Sequence, residues 1–235
     1  MLSAQVRDAL LAAAQVGPFF VLEVAGDSPG RGWLPAADWY RGGMSVLVND
    51  TARRLGTRET RVAASIFQQG FAARLWSPVL ASGLLCGIVP ALSALVVGAE
   101  PPLRLGLAEP GGWLVRSADQ VAALSSQAVG RELTALAAAL PGRLAAGLLR
   151  GNSASAMVGA LRVLVAARPD LAGEANRLGR ALLHTGGLRA AGELSVNDGQ
   201  ADGRLAFRRN SCCLYYRIPG GGLCGDCCFT RAPAS

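Results

Sequence analysis

Five cysteines crowd into one short stretch: Cys212, Cys213, Cys224, Cys227 and Cys228. No other feature constrains the chain as strongly. Closing a loop with a disulfide stabilises most when the linked residues are far apart, so a disulfide framework would scatter its thiols along the sequence. A tight cluster reads instead as thiolate ligands for a metal ion or an inorganic cluster, kept reduced in a reducing compartment. The sixth cysteine, Cys86, stands alone in an apolar stretch and is expected to be a small buried hydrophobe. With 235 residues the chain can bury a core without covalent help. Its 51% apolar and 17% charged residues exclude a disordered chain.

Charge and histidine content narrow the chemistry further. The 23 basic residues are all arginine, and the net charge is +7. They are scattered rather than gathered into one basic run, which argues against a nucleic-acid partner. His184 is the one histidine, so mechanisms that need a histidine cluster are out; near a helix end it is expected to interact with the helix dipole. The first residues, MLSAQVRDALLAAAQVG, lack a basic region followed by a long apolar core, which predicts no secretory leader and a cytoplasmic protein. Residues 75–99 carry no charge, but Pro78 and Pro90 interrupt them. An interior proline costs a helix about 3 kcal/mol. The stretch is therefore expected to form a buried helix, a turn and a buried strand rather than a membrane span, leaving peripheral association with the cytoplasmic face of a membrane open.

Periodicity predicts an α+β protein with a predominantly helical body. Helices are expected over 3–16, 44–56, 59–75, 117–140, 143–149, 153–167 and 171–185, and a strand over 18–24. Residues 25–43 are glycine- and proline-rich and predict a loop with one helical turn near Trp39. PLRLGL (102–107) alternates leucines with Arg104, EPGG (109–112) suits a turn, and WLVR (113–116) reads as the return strand of a hairpin. Ser117 and Gln120 have capping-box spacing. The polar run SVNDGQADGR (195–204) marks a boundary between a body, 1–203, and a small cysteine-rich lobe, 204–235.

Within that lobe the spacing is C-C-x10-C-x2-C over Cys212, Cys213, Cys224 and Cys227, with Pro219-Gly220-Gly221-Gly222 between the halves. A turn there folds the chain back and sets two pairs of sulfurs against each other. Four thiolates suit either tetrahedral zinc or an iron–sulfur cluster. Adjacent side chains diverge along an extended chain, which makes the C-C half awkward on one small ion, yet the chemistry alone leaves both open. Arg208, Arg209, Arg217 and Arg231 surround the segment against a single acid, Asp226, and positive charge near the sulfurs favours a reduced cluster.

The segment SCCLYYRIPGGGLCGDCC (211–228) resembles the C-terminal signature of the ferric-siderophore reductase (FhuF-like) family. RLWSPVLASGLLCG (74–87) and RGNSAS (150–155) are similar to members of it as well, less distinctively. The resemblance implies a [2Fe–2S] cluster held by Cys212, Cys213, Cys224 and Cys227, and one-electron reduction of a ferric siderophore so that iron leaves as Fe(II) for iron acquisition. Cys228 has no part in the family pattern. With no nucleotide fingerprint in the chain, electrons are expected from an external ferredoxin or flavoprotein reductase. Arg208, Arg209 and Tyr215 or Tyr216 are candidates to line the approach to the cluster. Asn152 is expected where a loop enters a helix, as an N-cap or a siderophore contact. Competing readings are a zinc-stabilised binding module and an iron–sulfur redox sensor without reductase activity.

Overall fold

The computed structural model describes residues 2–25, 32–196 and 205–233. Among them six helices of twelve residues or more make up most of the molecule: α1 (Leu2–Ala14), α3 (Met44–Leu55), α4 (Thr60–Cys86), α5 (Ala118–Ala139), α6 (Ala146–Ala167) and α7 (Ala172–His184). This is the α+β class with a helical body. The domain boundary expected between 203 and 204 lies outside the described residues.

The body is built around α4 and α6, which are packed together at its centre. Both carry small and apolar residues on nearly every face, the pattern of a helix enclosed on all sides. Phe71, Leu75, Trp76, Val79 and Leu80 of α4 are buried, as are Met157, Val158, Leu161 and Leu164 of α6. Pro78 sits inside α4, which carries on through it to Cys86. The stretch expected as a buried helix and strand is that, and no helix among the described residues is long and apolar enough to cross a membrane. Ser117 caps α5 as its spacing predicts, its Oγ accepting from Gln120 N at 3.3 Å.

Four expectations need correction. The strand expected over 18–24 shrinks to β1 (Glu23–Val24), because Pro18 opens a 3₁₀ turn that tucks Phe20 into the core and leaves Phe19 outside. Residues 32–43 hold more structure than a loop: β2 (Trp33–Pro35), the short α2 (Ala36–Asp38) and a π-helical turn over Trp39–Gly43 run directly into α3. The hairpin expected from 102–116 does not form. Both edges of β5 (Leu105–Leu107) are taken, by β1 on one side and β4 (Leu95–Gly98) on the other, so β6 (Gly112–Leu114) pairs instead with β3 (Ile88–Pro90). Finally, the two helices expected over 143–149 and 153–167 are one continuous helix, α6, with Gly151 and Asn152 in its second turn.

The first sheet runs β1-β5-β4-β2 and β3 pairs β6. A third pairing, β7 (Gly192–Val196) antiparallel to β8 (Leu205–Arg209), lays β8 against α6 and delivers the chain to the cysteine segment.

Candidate metal centre

The cysteine segment has almost no regular structure, and it is fixed to the body residue by residue. At its start Arg209 N donates to Asp226 O (3.0 Å) and Asn210 N to Ala191 O (2.8 Å). Ser211 Oγ donates to Gly147 O of α6 (2.7 Å). Ser65 Oγ of α4 donates to Cys213 O (2.7 Å). A left-handed Leu214 (φ 70°) and the 3₁₀ turn Tyr215–Arg217 reverse the chain, and Gly220, at φ 70°, carries it back toward the first sulfur pair. On the return, Cys227 N donates to Cys224 O (3.1 Å), Arg208 Nη2 to Cys228 O (3.1 Å), and Phe229 stacks edge-on against Tyr216. Asp226 is buried, with Arg162 Nη1 2.8 Å from its Oδ1, an ion pair by distance though not aligned as a hydrogen bond.

This path gathers the five tail cysteines, all of them free. Proximity to the Cys224 thiol, opposed by burial, brings Cys213 down to about 7; the same proximity, together with burial, pushes Cys224 up. Burial raises Cys212 and Cys228, the neighbouring sulfurs add to the rise, and Arg209 opposes it. Two backbone donors already point at sulfur: Leu214 N at Cys212 Sγ (3.2 Å) and Phe229 N at Cys227 Sγ (3.4 Å). Among the described residues no three His, Cys, Asp or Glu side chains are grouped to hold a single metal ion. The sulfurs lie within electrostatic reach of one another: Cys213 of Cys224 and Cys212, and Cys212 of Cys227 and Cys228. Thiolates spread in this way suit a two-iron core, in which each iron takes two.

Arg209 provides the second test of fit. It is 1% exposed, yet of its donors only Nη2 is used, to Asn152 Oδ1 (2.7 Å) and Leu148 O (3.3 Å); Nε and Nη1 have no partner among the described residues. A buried guanidinium without a counter-charge is costly. A thiolate-ligated iron–sulfur core carries net negative charge, and placed at these sulfurs it supplies what Arg209 lacks. Asn152, fully buried, completes the support: its Nδ2 donates to Ser65 O (2.9 Å) and Ser65 Oγ (3.1 Å). Ser65, Asn152, Arg209 and the Cys213 carbonyl thus form one buried hydrogen-bonded network joining α4, α6, β8 and the cysteine segment. The helix makes room for it at Gly151, where a Cβ would collide with Ser211 Oγ and stand 2.8 Å from Arg209 Nη2.

The structure revises several candidates. Asn152 is neither an N-cap nor a surface contact, because the loop it was expected to end does not exist. Arg209 lies beneath the sulfurs rather than on an approach to them. Arg208 and Tyr215 are exposed; Arg208 holds the Cys228 carbonyl. Cys86 is exposed rather than buried, since it is the last residue of α4. His184 is in the last turn of α7, as expected. Ser65, Gly151 and Asp226 had no assigned role; the signal for the first two was a run of small and polar residues inside helices otherwise enclosed by apolar packing.

Beside the sulfurs opens a cleft of about 760 Å³ between α4, α6 and the Pro18–Phe20 turn. Cys213, Cys224 and Tyr215 line it, and so do Phe19, Phe20, Ile66 and Val163. Sequence reasoning gave no hint of it, since its walls come from four separate stretches.

Residues 209–229 match the family model of the FhuF 2Fe-2S C-terminal domain. No curated protein matches the chain. The matched span covers the four spaced cysteines and Arg209, and its cofactor is a [2Fe–2S] cluster.

Proposed function

We propose that this iron–sulfur protein is a ferric-siderophore reductase of the cytoplasm. Cys212, Cys213, Cys224 and Cys227 hold the [2Fe–2S] cluster, which when bound supplies a one-electron carrier. The observation that carries the reading is the cleft: two of the four sulfur ligands line a cavity in the size range of small-molecule sites. A substrate seated there is within short reach of the redox centre.

The chain's own residues have definable tasks. The Leu214 and Phe229 amides donate to Cys212 and Cys227 sulfur, and the Arg209 guanidinium offers positive charge from below. All three favour the more negative, reduced state and raise the potential. Ser65 and Asn152 hold that charge and the Cys213 carbonyl in place. The net reaction balances simply. Fe(III) in the siderophore gains one electron from an external ferredoxin or flavoprotein reductase, by way of this protein, and becomes Fe(II). Siderophore oxygens are hard and anionic, so they bind the ferrous ion far more weakly and release it.

The test is anaerobic mixing of dithionite-reduced, desalted protein with a ferric siderophore in the presence of a ferrous chelator. One Fe(II) trapped per cluster reoxidised is expected. Protein that stays reduced, or that is colourless and holds zinc, overturns the reading.

A further inference from the structure

Arginines that are scattered along the sequence gather in space at one end of α4. Residues 50–74 and 205–233 hold nine arginines against three carboxylates, so these two stretches carry six of the chain's seven net positive charges. They meet beside the cysteines. Arg61 is one turn of α4 from Ser65, whose hydroxyl holds the Cys213 carbonyl, a distance of about 6 Å at the rise of a helix. Arg217 of the cysteine segment donates through Nε to both oxygens of Glu59, the residue before that helix, at 3.1 and 2.9 Å. The other two acids are engaged as well: Asp50 by Arg53 and Arg54, and the buried Asp226 by Arg162. Arg58, Arg61 and Arg231 are exposed and have no carboxylate partner among the described residues. Arg208 faces Glu193 across the β7–β8 pair and adds little. Tyr216, beside Arg217, stacks on Phe229, two residues before Arg231, which brings those two arginines to neighbouring parts of the surface. Phe229 is exposed, and its amide points at Cys227, a half-buried sulfur that does not line the cleft.

We infer that this arginine-bearing face docks the electron donor, and that the donor is a small one-electron carrier protein with an acidic surface around its own redox centre. This rests on the proposed function, in which an external carrier supplies the electron, and adds where the carrier lands and which charge it must present. A concentration of one sign of charge steers an oppositely charged partner and sets its orientation. An exposed aromatic among charged groups matches the apolar centre and polar rim of a protein interface. A bound cluster brings negative charge of its own, but Arg209 meets it from beneath, and an excess of arginine remains. Cys227 gives the carrier an edge of the cluster that a substrate in the cleft leaves uncovered. The step itself is single: the carrier is oxidised by one electron and the cluster is reduced by one.

The test is stopped-flow reduction of the oxidised, cluster-loaded protein by an acidic flavodoxin in its hydroquinone form, whose absorbance is distinct from that of the cluster. The second-order rate constant is expected to fall about tenfold between about 50 and 500 mM salt. The double variant Arg58→Glu, Arg61→Glu is expected to lower it about tenfold at low salt and hardly at all at high salt, with visible spectrum and iron content retained. Glutamate suits the first turn of α4, so the fold is not at risk. Arg231→Glu is expected to give a smaller loss of the same kind. Arg116→Glu is the control: Arg116 follows Val115, whose amide bonds Gly87 O past the other end of α4, about 30 Å from Ser65. That is well beyond a screening length of about 10 Å, and no change is expected. The methyl viologen radical cation, which the arginines repel, is expected to react no more slowly with the double variant than with the parent. A flavodoxin rate indifferent to salt, equal losses from Arg116→Glu and the double variant, or reduction by viologen but not by flavodoxin overturns the inference. So does a double variant that loses only binding to phosphatidylglycerol vesicles, since the face is then a membrane contact. Reoxidation by ferric siderophore is scored separately. Charge-indifferent reduction with intact reoxidation removes this inference alone, and charge-steered reduction without reoxidation removes the reductase reading alone.

Discussion

The body and the cysteine segment of this chain are ordered by different forces. Around α4 and α6 most side chains are buried apolar surface; some buried polar groups are paired within the fold, as Tyr40 Oη is with Glu132 Oε2 at 3.0 Å, while others, Gln68 Oε1 and Ser155 Oγ among them, have no partner among the described residues. From Asn210 to Pro233 only Cys213, Ile218 and Asp226 are buried, and the segment is pinned by single hydrogen bonds to α4, α6 and the β7–β8 pair. Hydrophobic burial gives the body its stability independently of any ion. The segment has too little apolar contact for that, so its order depends on the cluster and on the network beneath it. The comparison teaches that cofactor and core can be perturbed one at a time.

The sharpest division comes from Cys213→Ser. Loss of visible absorption, iron and acid-labile sulfide is expected to be complete, while far-ultraviolet circular dichroism keeps the helical signal of the body. Collapse of that signal would show that the two regions are not separable. Asn152→Ala strikes the junction between them. It strips Arg209 of its best partner and takes one donor from Ser65, leaving polar groups buried and unpaired, so a loss of about 3 kcal/mol in denaturant unfolding is expected. It also lowers cluster occupancy, since Ser65 no longer holds the Cys213 carbonyl as firmly.

A pair of matched changes on α6 sharpens the contrast. Gly151→Ala pushes a methyl group into Ser211 and Arg209 and is expected to cost about 2 kcal/mol together with part of the cluster. Gly159→Ala, two turns along the same helix, meets open space and is expected to stabilise by up to about 1 kcal/mol through helix propensity alone. Equal effects at the two sites would refute the idea that Gly151 exists to admit the network.

The smallest effect belongs to the body. Burial raises the Glu132 carboxyl above its ordinary range, and the Tyr40 hydroxyl and Arg131 only partly offset it. A carboxyl that holds its proton more tightly when folded supports the fold in acid, and that support is lost as pH rises through the folded value. Glu132→Gln is therefore expected to raise the melting temperature near neutrality, with the gain vanishing below about pH 4. The cluster spectrum should be untouched throughout.

The same division explains what could be read from the linear chain. Local periodicity and capping were legible: Ser117 caps α5, and the helices expected over 44–56 and 171–185 are α3 and α7. So was the cysteine cluster near the C-terminus, because ligand spacing is short-range information. The hairpin failed because partner choice for β5 was decided by β1 and β4, both remote from the turn at Pro110-Gly111. Asn152 failed because a polar run normally marks a loop, and only contact with Ser65 and Arg209 shows why this one stays helical. Cys86 failed because an apolar neighbourhood in sequence ends, in space, at the exposed tip of a helix.

The hydrogen bond from Ser65 to the Cys213 carbonyl spans 148 positions of chain, and that separation sets an order of assembly. Ser65 and Asn152 are synthesised well before the thiolates, while Arg209 and β8 arrive with them, so the seat is completed only when the cysteines themselves are present.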